Sequence, residues 1–454
     1  MRRFRKALIA DTVALVLFLL TGPMAFANPS MEVQRVTSPG GIEAWLVEDH
    51  SNPILSIAFG FRVGTADDPE GKEGLAEMVS GLLDEGAGDL DSQAFQKRLA
   101  DLAIDLDFDV GRDDFTGTMR TLSENRDAAF DLLRLALTEP RFDPGPIERI
   151  RGQMLVLLAR MASEPMQIAD QVWWRTLFPD HPYGRRPLGT PETLAAIAPE
   201  DLRRFVDRHF ARDNLVVGVV GDITAEELAP LLDKTFGGLP ARAAPVPMAE
   251  AEPGNLGELV VVERAVPQST VLFGAPGIKR DDPDFYAAML VNHVLGGGGF
   301  SSRLTNEVRE KRGLAYSVGS YLLTLDHAGL LRGYVATQNA RVADSIAIIR
   351  EEWRRMREEG PTAEELADAK TYVIGSYPLQ FTSTASTAEG LVAVQLERLG
   401  IDYFDRREAL INAVTLEDAR RVARRLLDPA TLTAVVVGTP EGLAATLPAP
   451  GDGT

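Results

Sequence analysis

Gly64-Thr65-Ala66-Asp67-Asp68-Pro69-Glu70-Gly71-Lys72-Glu73-Gly74-Leu75-Ala76-Glu77-Met78-Val79-Ser80-Gly81 carries the chain from one periodicity into another. Upstream, Glu43 to Val47 and Leu55 to Arg62 read as strands. Downstream, Leu75, Met78, Val79, Leu82 and Leu83 fall at the spacing of an amphipathic helix packed on a core, with Gly86 and Gly88 as its C-terminal stop. Glu73, Glu77 and Asp84 stand beside that stripe. Carboxylates so placed usually form a solvated face, which makes a self-sufficient carboxylate hydrolase built on these three the weaker alternative.

The pattern then repeats. Asn214 to Asp222 is an apolar strand running into a helix that starts at Thr224, and a Pro-, Ala- and Gly-rich stretch from Gly238 to Gly254 follows. Beyond it come two strands (Leu259 to Glu263, Ser269 to Gly274) and a helix opened by Asp281-Asp282-Pro283 and running to Leu295. A closing strand, Thr431 to Gly438, has another helix after it. Strands, helix, strands, helices in each half predict an α+β fold, with a sheet carrying helices on one face. The parallel between halves points to an internal duplication. The expected boundaries are 28–238 and 257–454, joined by a linker at 239–256.

At 454 residues, with 45% hydrophobic and 25% charged residues, the chain has the composition of an ordinary globular protein of two or more domains. It has no cysteine, which excludes disulfides, thiolate catalysis and a lipoprotein anchor. Arg2, Arg3, Arg5 and Lys6 precede an apolar run from Thr12 to Leu20, and Ala25-Phe26-Ala27 is a small-x-small cleavage signal. Residues 1–27 therefore read as a signal peptide. No equally apolar run follows, so no stable membrane anchor is expected, and export of a cysteine-free chain points to the periplasm of a Gram-negative bacterium. A net charge of −19 argues against nucleic acid and anionic membranes as partners.

The stretch from Gly64 to Ala76 resembles the approach to the inverted zinc motif of the M16 metallopeptidases, the pitrilysin and mitochondrial processing peptidase family. Leu177-Phe178-Pro179-Asp180-His181-Pro182-Tyr183-Gly184 with Leu188-Gly189-Thr190, and Arg208 to Asn214, are similar to later family segments and come in the family's order. The resemblance spans nearly all of the mature chain. It implies two homologous domains, each with a mostly antiparallel sheet.

It also implies a ruined metal site. In a His-x-x-Glu-His helix, two histidines four residues apart hold zinc on one face and the glutamate between them activates the metal-bound water. Here Glu77 replaces the first histidine, Ser80 the glutamate and Gly81 the second histidine, while Leu157 stands at the position of the third ligand. The five histidines, His50, His181, His209, His293 and His327, include no pair at a zinc-ligand spacing. No metal is expected in this chain.

The second half keeps what the first has lost. Ser301-Ser302-Arg303-Leu304 and Arg309 to Val318 resemble the segment that supplies the family's substrate-binding pair, with Arg309 and Tyr316 at the family's spacing of seven. The pair can converge across the Gly313 turn and donate to a peptide carbonyl. Gly296-Gly297-Gly298-Gly299 reads equally as a helix stop and as a counterpart of the glycine-rich recognition loop of the processing peptidase's non-catalytic subunit. Ile54 to Phe61 corresponds to the edge strand on which active relatives take up substrate by β-addition, or is only core.

Together these imply a non-catalytic, substrate-binding subunit of a zinc endopeptidase that cleaves peptides. It would act in a heterodimer whose partner carries an intact His-x-x-Glu-His and the zinc. The alternative is an inert binding or assembly protein of the same fold with no proteolytic partner.

Overall fold

The computed structural model describes residues 31–451; the leader read at 1–27 lies outside the described residues. The first half contributes β1 (Gln34–Thr37), β2 (Glu43–Glu48), β3 (Ile54–Phe61), a small ribbon of β4 (Gly86–Ala87) and β5 (Leu90–Asp91), β6 (Asp105–Val110), β7 (Phe115–Leu122) and β8 (Leu215–Gly221). The second contributes β9 (Leu259–Glu263), β10 (Gln268–Pro276), β11 (Ala315–Thr324), β12 (Gly329–Gln338) and β13 (Thr433–Gly438). One sheet has the order β1-β2-β8-β3-β7-β6 and the other β11-β12-β10-β13-β9.

The duplication is explicit in this topology. In each sheet the first long strand lies parallel to the last (β2 with β8, β9 with β13), and every other pairing is antiparallel. Large residues on one face of β3, Leu55, Ile57, Phe59 and Phe61, pack into a core with Phe95, Phe130 and Phe236 from helices of the same half. Val271, Phe273 and Ala275 of β10 do the same with Trp353 and Leu290 in the second half.

The opposite faces are covered reciprocally. Ser56 and Gly60 of β3 and Gly218 of β8 are small, and helix Thr384–Leu396 from the second half lies on them. Ser56 and Thr384 hydroxyls meet at 2.8 Å, and the Gln395 side-chain amide donates to the Val217 carbonyl at 2.9 Å. In return, helix Pro165–Leu177 of the first half lies on the second sheet, with Trp173 packed where Gly274 has no side chain and Arg332 paired to Asp170. Among the described residues, 33–451 therefore form one compact unit.

Several expectations change. Helix Leu75–Ser80 stops at Gly81, because beyond it the amide of Leu82 bonds to Val79, three residues back, and the chain tightens into turns; Gly86 (φ +110°) and Gly88 (φ +54°) serve the β4 ribbon instead. The helix expected to reach Leu295 is α-helical over Phe285–Asn292 and π-helical over His293–Gly297. No helix follows β13 among the described residues, since Thr446 bonds back to Leu259 at the start of β9. And β3 is not an edge strand: β7 and β8 occupy both its sides, leaving β6 and β1 at the ends of the sheet.

Candidate functional site

Asp68 accepts from the amides of Gly74, Leu75 and Ala76 and so starts the helix that carries the altered motif. Along it Leu75, Met78 and Val79 are buried as their spacing requires. Glu77 is half-buried rather than solvated. Burial, with Asp109 nearby, pushes its carboxyl up to about 7. Asp84 is likewise half-buried and raised by burial, its carboxylate taking the Gln96 amide at 2.8 Å. Ser80 spends its hydroxyl on the Glu77 carbonyl at 2.9 Å. Gly81 faces Ile150 of helix Pro144–Met161, on which Leu157 stands 42% exposed.

These residues do not fit zinc. Glu77 is one carboxylate, only about half ionised near neutral pH, and neither glycine nor leucine offers a donor, whereas a catalytic site takes three protein ligands. Among the described residues no three His, Asp or Glu side chains gather in a set that could hold a metal ion.

Arg309 and Tyr316 do come together. Gly313, with φ +59°, turns the chain between them, and the guanidinium carbon of Arg309 lies 5.0 Å from the Tyr316 ring centroid. Phe300 supplies a second ring at 4.7 Å, which the sequence reading missed; its signal is a large apolar residue set directly after four glycines. Tyr316 is 82% and Phe300 73% exposed, so neither ring belongs to the core. Arg309 has a loose contact with Glu310 at 3.4 Å, while Glu307 takes up its other cationic neighbours, Lys311 and Arg312, each at 2.5 Å.

Both members of the pair sit on irregular backbone. Arg309 lies in a π-helical turn, Thr305–Glu310, and Tyr316 in a bulge of β11, where Ala315 pairs with Thr337 but Val318 pairs with Val335. The extra residue breaks the alternation, so Tyr316 and Ser317 both face out between buried Ala315 and Val318. Such insertions cost regular hydrogen bonding and cluster at functional sites.

The four glycines are less open than a loop of free amides. A Cβ at Gly296 would lie 2.3 Å from the Ser320 hydroxyl, one at Gly297 2.8 Å from the Asn292 side chain and one at Gly298 2.8 Å from the His293 carbonyl. Close packing of the π-helix on β11 therefore explains Gly296 and Gly297, while Gly298 is confined by His293 and Ser301. Only Gly299, with φ +58°, is set by its backbone alone.

Residues 196–373 match the profile of the peptidase M16 inactive domain. The chain is 30% identical over 376 residues to the non-peptidase homolog YmxG of Helicobacter pylori, covering 82% of this chain and 85% of that one. It is 29% identical over 406 residues to an uncharacterized zinc protease of Streptomyces coelicolor, covering 87% of each. The crystal structure of a peptidase M16 inactive domain from Pseudomonas fluorescens superposes with a TM-score of 0.84 at 26% identity, over 92% of this chain and 100% of that one. With its duplicated sheets and with Glu77, Ser80, Gly81 and Leu157 at the zinc-motif positions, the chain belongs to the peptidase M16 family.

Proposed function

We propose that this chain is the non-catalytic, substrate-binding subunit of a periplasmic M16 endopeptidase. A partner chain bearing an intact His-x-x-Glu-His supplies zinc and general base. This chain holds the peptide through Arg309 and Tyr316. The observation that supports the reading is the Arg309–Tyr316 juxtaposition: two donors on adjoining irregular turns, the tyrosine exposed and the arginine half-buried beside Phe300, in a protein whose metal positions do not fit zinc. A guanidinium held over a phenol presents N–H and O–H groups to one carbonyl oxygen, where they can orient the peptide and take up charge as it develops. The exposed Leu155, Val156 and Leu157 of helix Pro144–Met161 give an apolar wall suited to peptide or partner. The free edge of β6, against which helix Leu75–Ser80 packs, replaces β3 as the strand open to β-addition.

Reconstitution tests this. The mature chain alone should retain no stoichiometric zinc after incubation with zinc and desalting, and should cleave no peptide. Mixed with an M16 chain from the same genome that has the intact motif, it should raise that chain's kcat/KM for peptides. One tightly held zinc per isolated chain, lost on Glu77→Ala, would overturn the assignment; so would a partner whose activity does not respond.

A further inference from the structure

The duplication gives β6 a counterpart in β11, since each is the outermost strand of its sheet beyond β7 or β12. The two edges are finished differently. Against β11 pack the π-helical turns His293–Gly297 and Thr305–Glu310, and the carbonyls of Val318 and Ser320 accept from the Thr305 hydroxyl at 3.4 Å and the Asn292 amide at 3.2 Å. Among the described residues, no hydrogen bond from any element other than β7 reaches the main chain of Asp105–Val110. An edge of unpaired N–H and C=O groups is a template for one more strand.

The charge on the β6 edge says which strand. Leu106, Phe108 and Val110 belong to the core or pack against it, while Asp105, Asp107 and Asp109 are exposed on the other face. Alternate positions stand about 7 Å apart along a strand. Arg120 of β7 lies opposite Asp105 and donates to it at 2.5 Å, whereas Asp107 and Asp109 lie opposite Thr118 and Thr116, which bring no charge. Asp105 and Asp107 also border, with Glu389 of helix Thr384–Leu396, a hollow of about 170 Å³ over that face. Burial and then Asp109 hold the Glu77 carboxyl up, and burial followed by Asp113 and Asp109 does so at Asp114, so the negative field of this strand reaches its neighbours. Such an edge rejects a second copy of itself, because two β6 strands would set aspartates against aspartates. It fits a strand that brings cations.

We infer that the peptide taken up along β6 is a basic one, with lysine or arginine at alternate positions whose cations meet Asp107 and Asp109 as Arg120 meets Asp105. This rests on the peptide-binding reading above and names its substrate class. Main-chain bonds to β6 hold an extended segment of any sequence, and the aspartates select among segments by cross-strand pairing on the outer face. The hollow beside Glu389 gives the cation at Asp107 room and a second carboxylate.

Fluorescence anisotropy of the mature chain with three dye-labelled peptides, in which threonine alternates with lysine, with glutamine or with glutamate, tests the site. At low salt the lysine peptide should bind about tenfold more tightly than the glutamine peptide, and the glutamate peptide most weakly, with the differences shrinking as salt is added. Asp107→Asn combined with Asp109→Asn, both changes on exposed side chains, should bring the lysine peptide down to the affinity of the glutamine peptide. Arg309→Ala should weaken all three alike, which reads the proposed substrate pair separately. Peptides bound equally by the parent, or a preference for lysine that survives the double variant, overturn the basic-strand inference and leave the pair standing. Absence of binding by all three at millimolar concentration overturns both. A lysine preference that the double variant abolishes supports the inference even where Arg309→Ala has no effect, a result that would sink the pair alone.

Discussion

At position 77 a carboxylate stands on the helix face where the family places a metal-binding imidazole, and the fold has not moved it into water. Its pKa of about 7 against an ordinary 4.5 means that the folded state holds the proton more tightly than the unfolded chain does. Between pH 4.5 and 7 the folded form is protonated and the unfolded form is not, so stability falls as pH rises through that window and then levels off. The full effect is about 3 kcal/mol at most. Glu77→Gln should therefore remove this slope and be more stable than the parent at pH 8, with little difference at pH 4. Denaturant unfolding at both pH values measures it, and a variant with the parental slope would show that Glu77 is solvated. The replacement of the metal ligands was legible in the sequence because it is a matter of residue type. The burial of Glu77 was not, because it depends on Asp109 and β6, some thirty residues further along the chain.

Elements were legible in proportion to how far local pattern decides them. β9 and the start of the helix at Thr224 came directly from alternation and capping. The π-turns at His293 and Arg309 and the bulge at Tyr316 did not, since one inserted residue barely alters hydrophobic periodicity. Gly60 and Gly218 likewise gave no sign of their purpose, which is to admit a helix from the other half. A Cβ at Gly218 would lie 2.7 Å from the Ala388 carbonyl oxygen and 2.9 Å from the Leu391 Cβ. Gly218→Val should thus lift helix Thr384–Leu396 and cost about 1 to 3 kcal/mol. Gly81 is the contrasting case. Its φ is −75°, and the nearest contact of a Cβ would be Ile150 at 3.4 Å, so Gly81→Ala should change stability by less than about 1 kcal/mol. Thermal or denaturant unfolding of the two variants decides both points; a tolerated valine at 218 would mean that the helix is only loosely seated.

In the whole molecule, each half lends a helix to the other's sheet, and this exchange makes the linker unnecessary as a tether. Residues 243–247 are solvent-exposed except Ala243. A protease site inserted after Pro245 and then cut should leave two fragments that still co-elute in gel filtration, held by Trp173 on one side and Leu391 and Val392 on the other. Fragments that separate without denaturant would refute the reciprocal cover. The duplication was readable as a repeated order of strands and helices, but not the exchange, which follows from which sheet faces carry small residues. The same scale frames the proposed division of labour: the half with the altered metal positions and the half with the Arg309–Tyr316 pair are packed together, and in that proposal the second half supplies the hydrogen-bond donors to the peptide.

The most direct test of that division is steady-state peptide cleavage by the reconstituted complex, with Arg309→Ala and Tyr316→Phe introduced into this chain alone. The account predicts a loss of kcat/KM in both, of about 2 to 4 kcal/mol for a donor that reaches the oxyanion and less for one that only positions the peptide, with assembly and the partner's zinc unchanged. Parental kinetics in both variants, with the complex intact, would contradict it and leave this chain a scaffold.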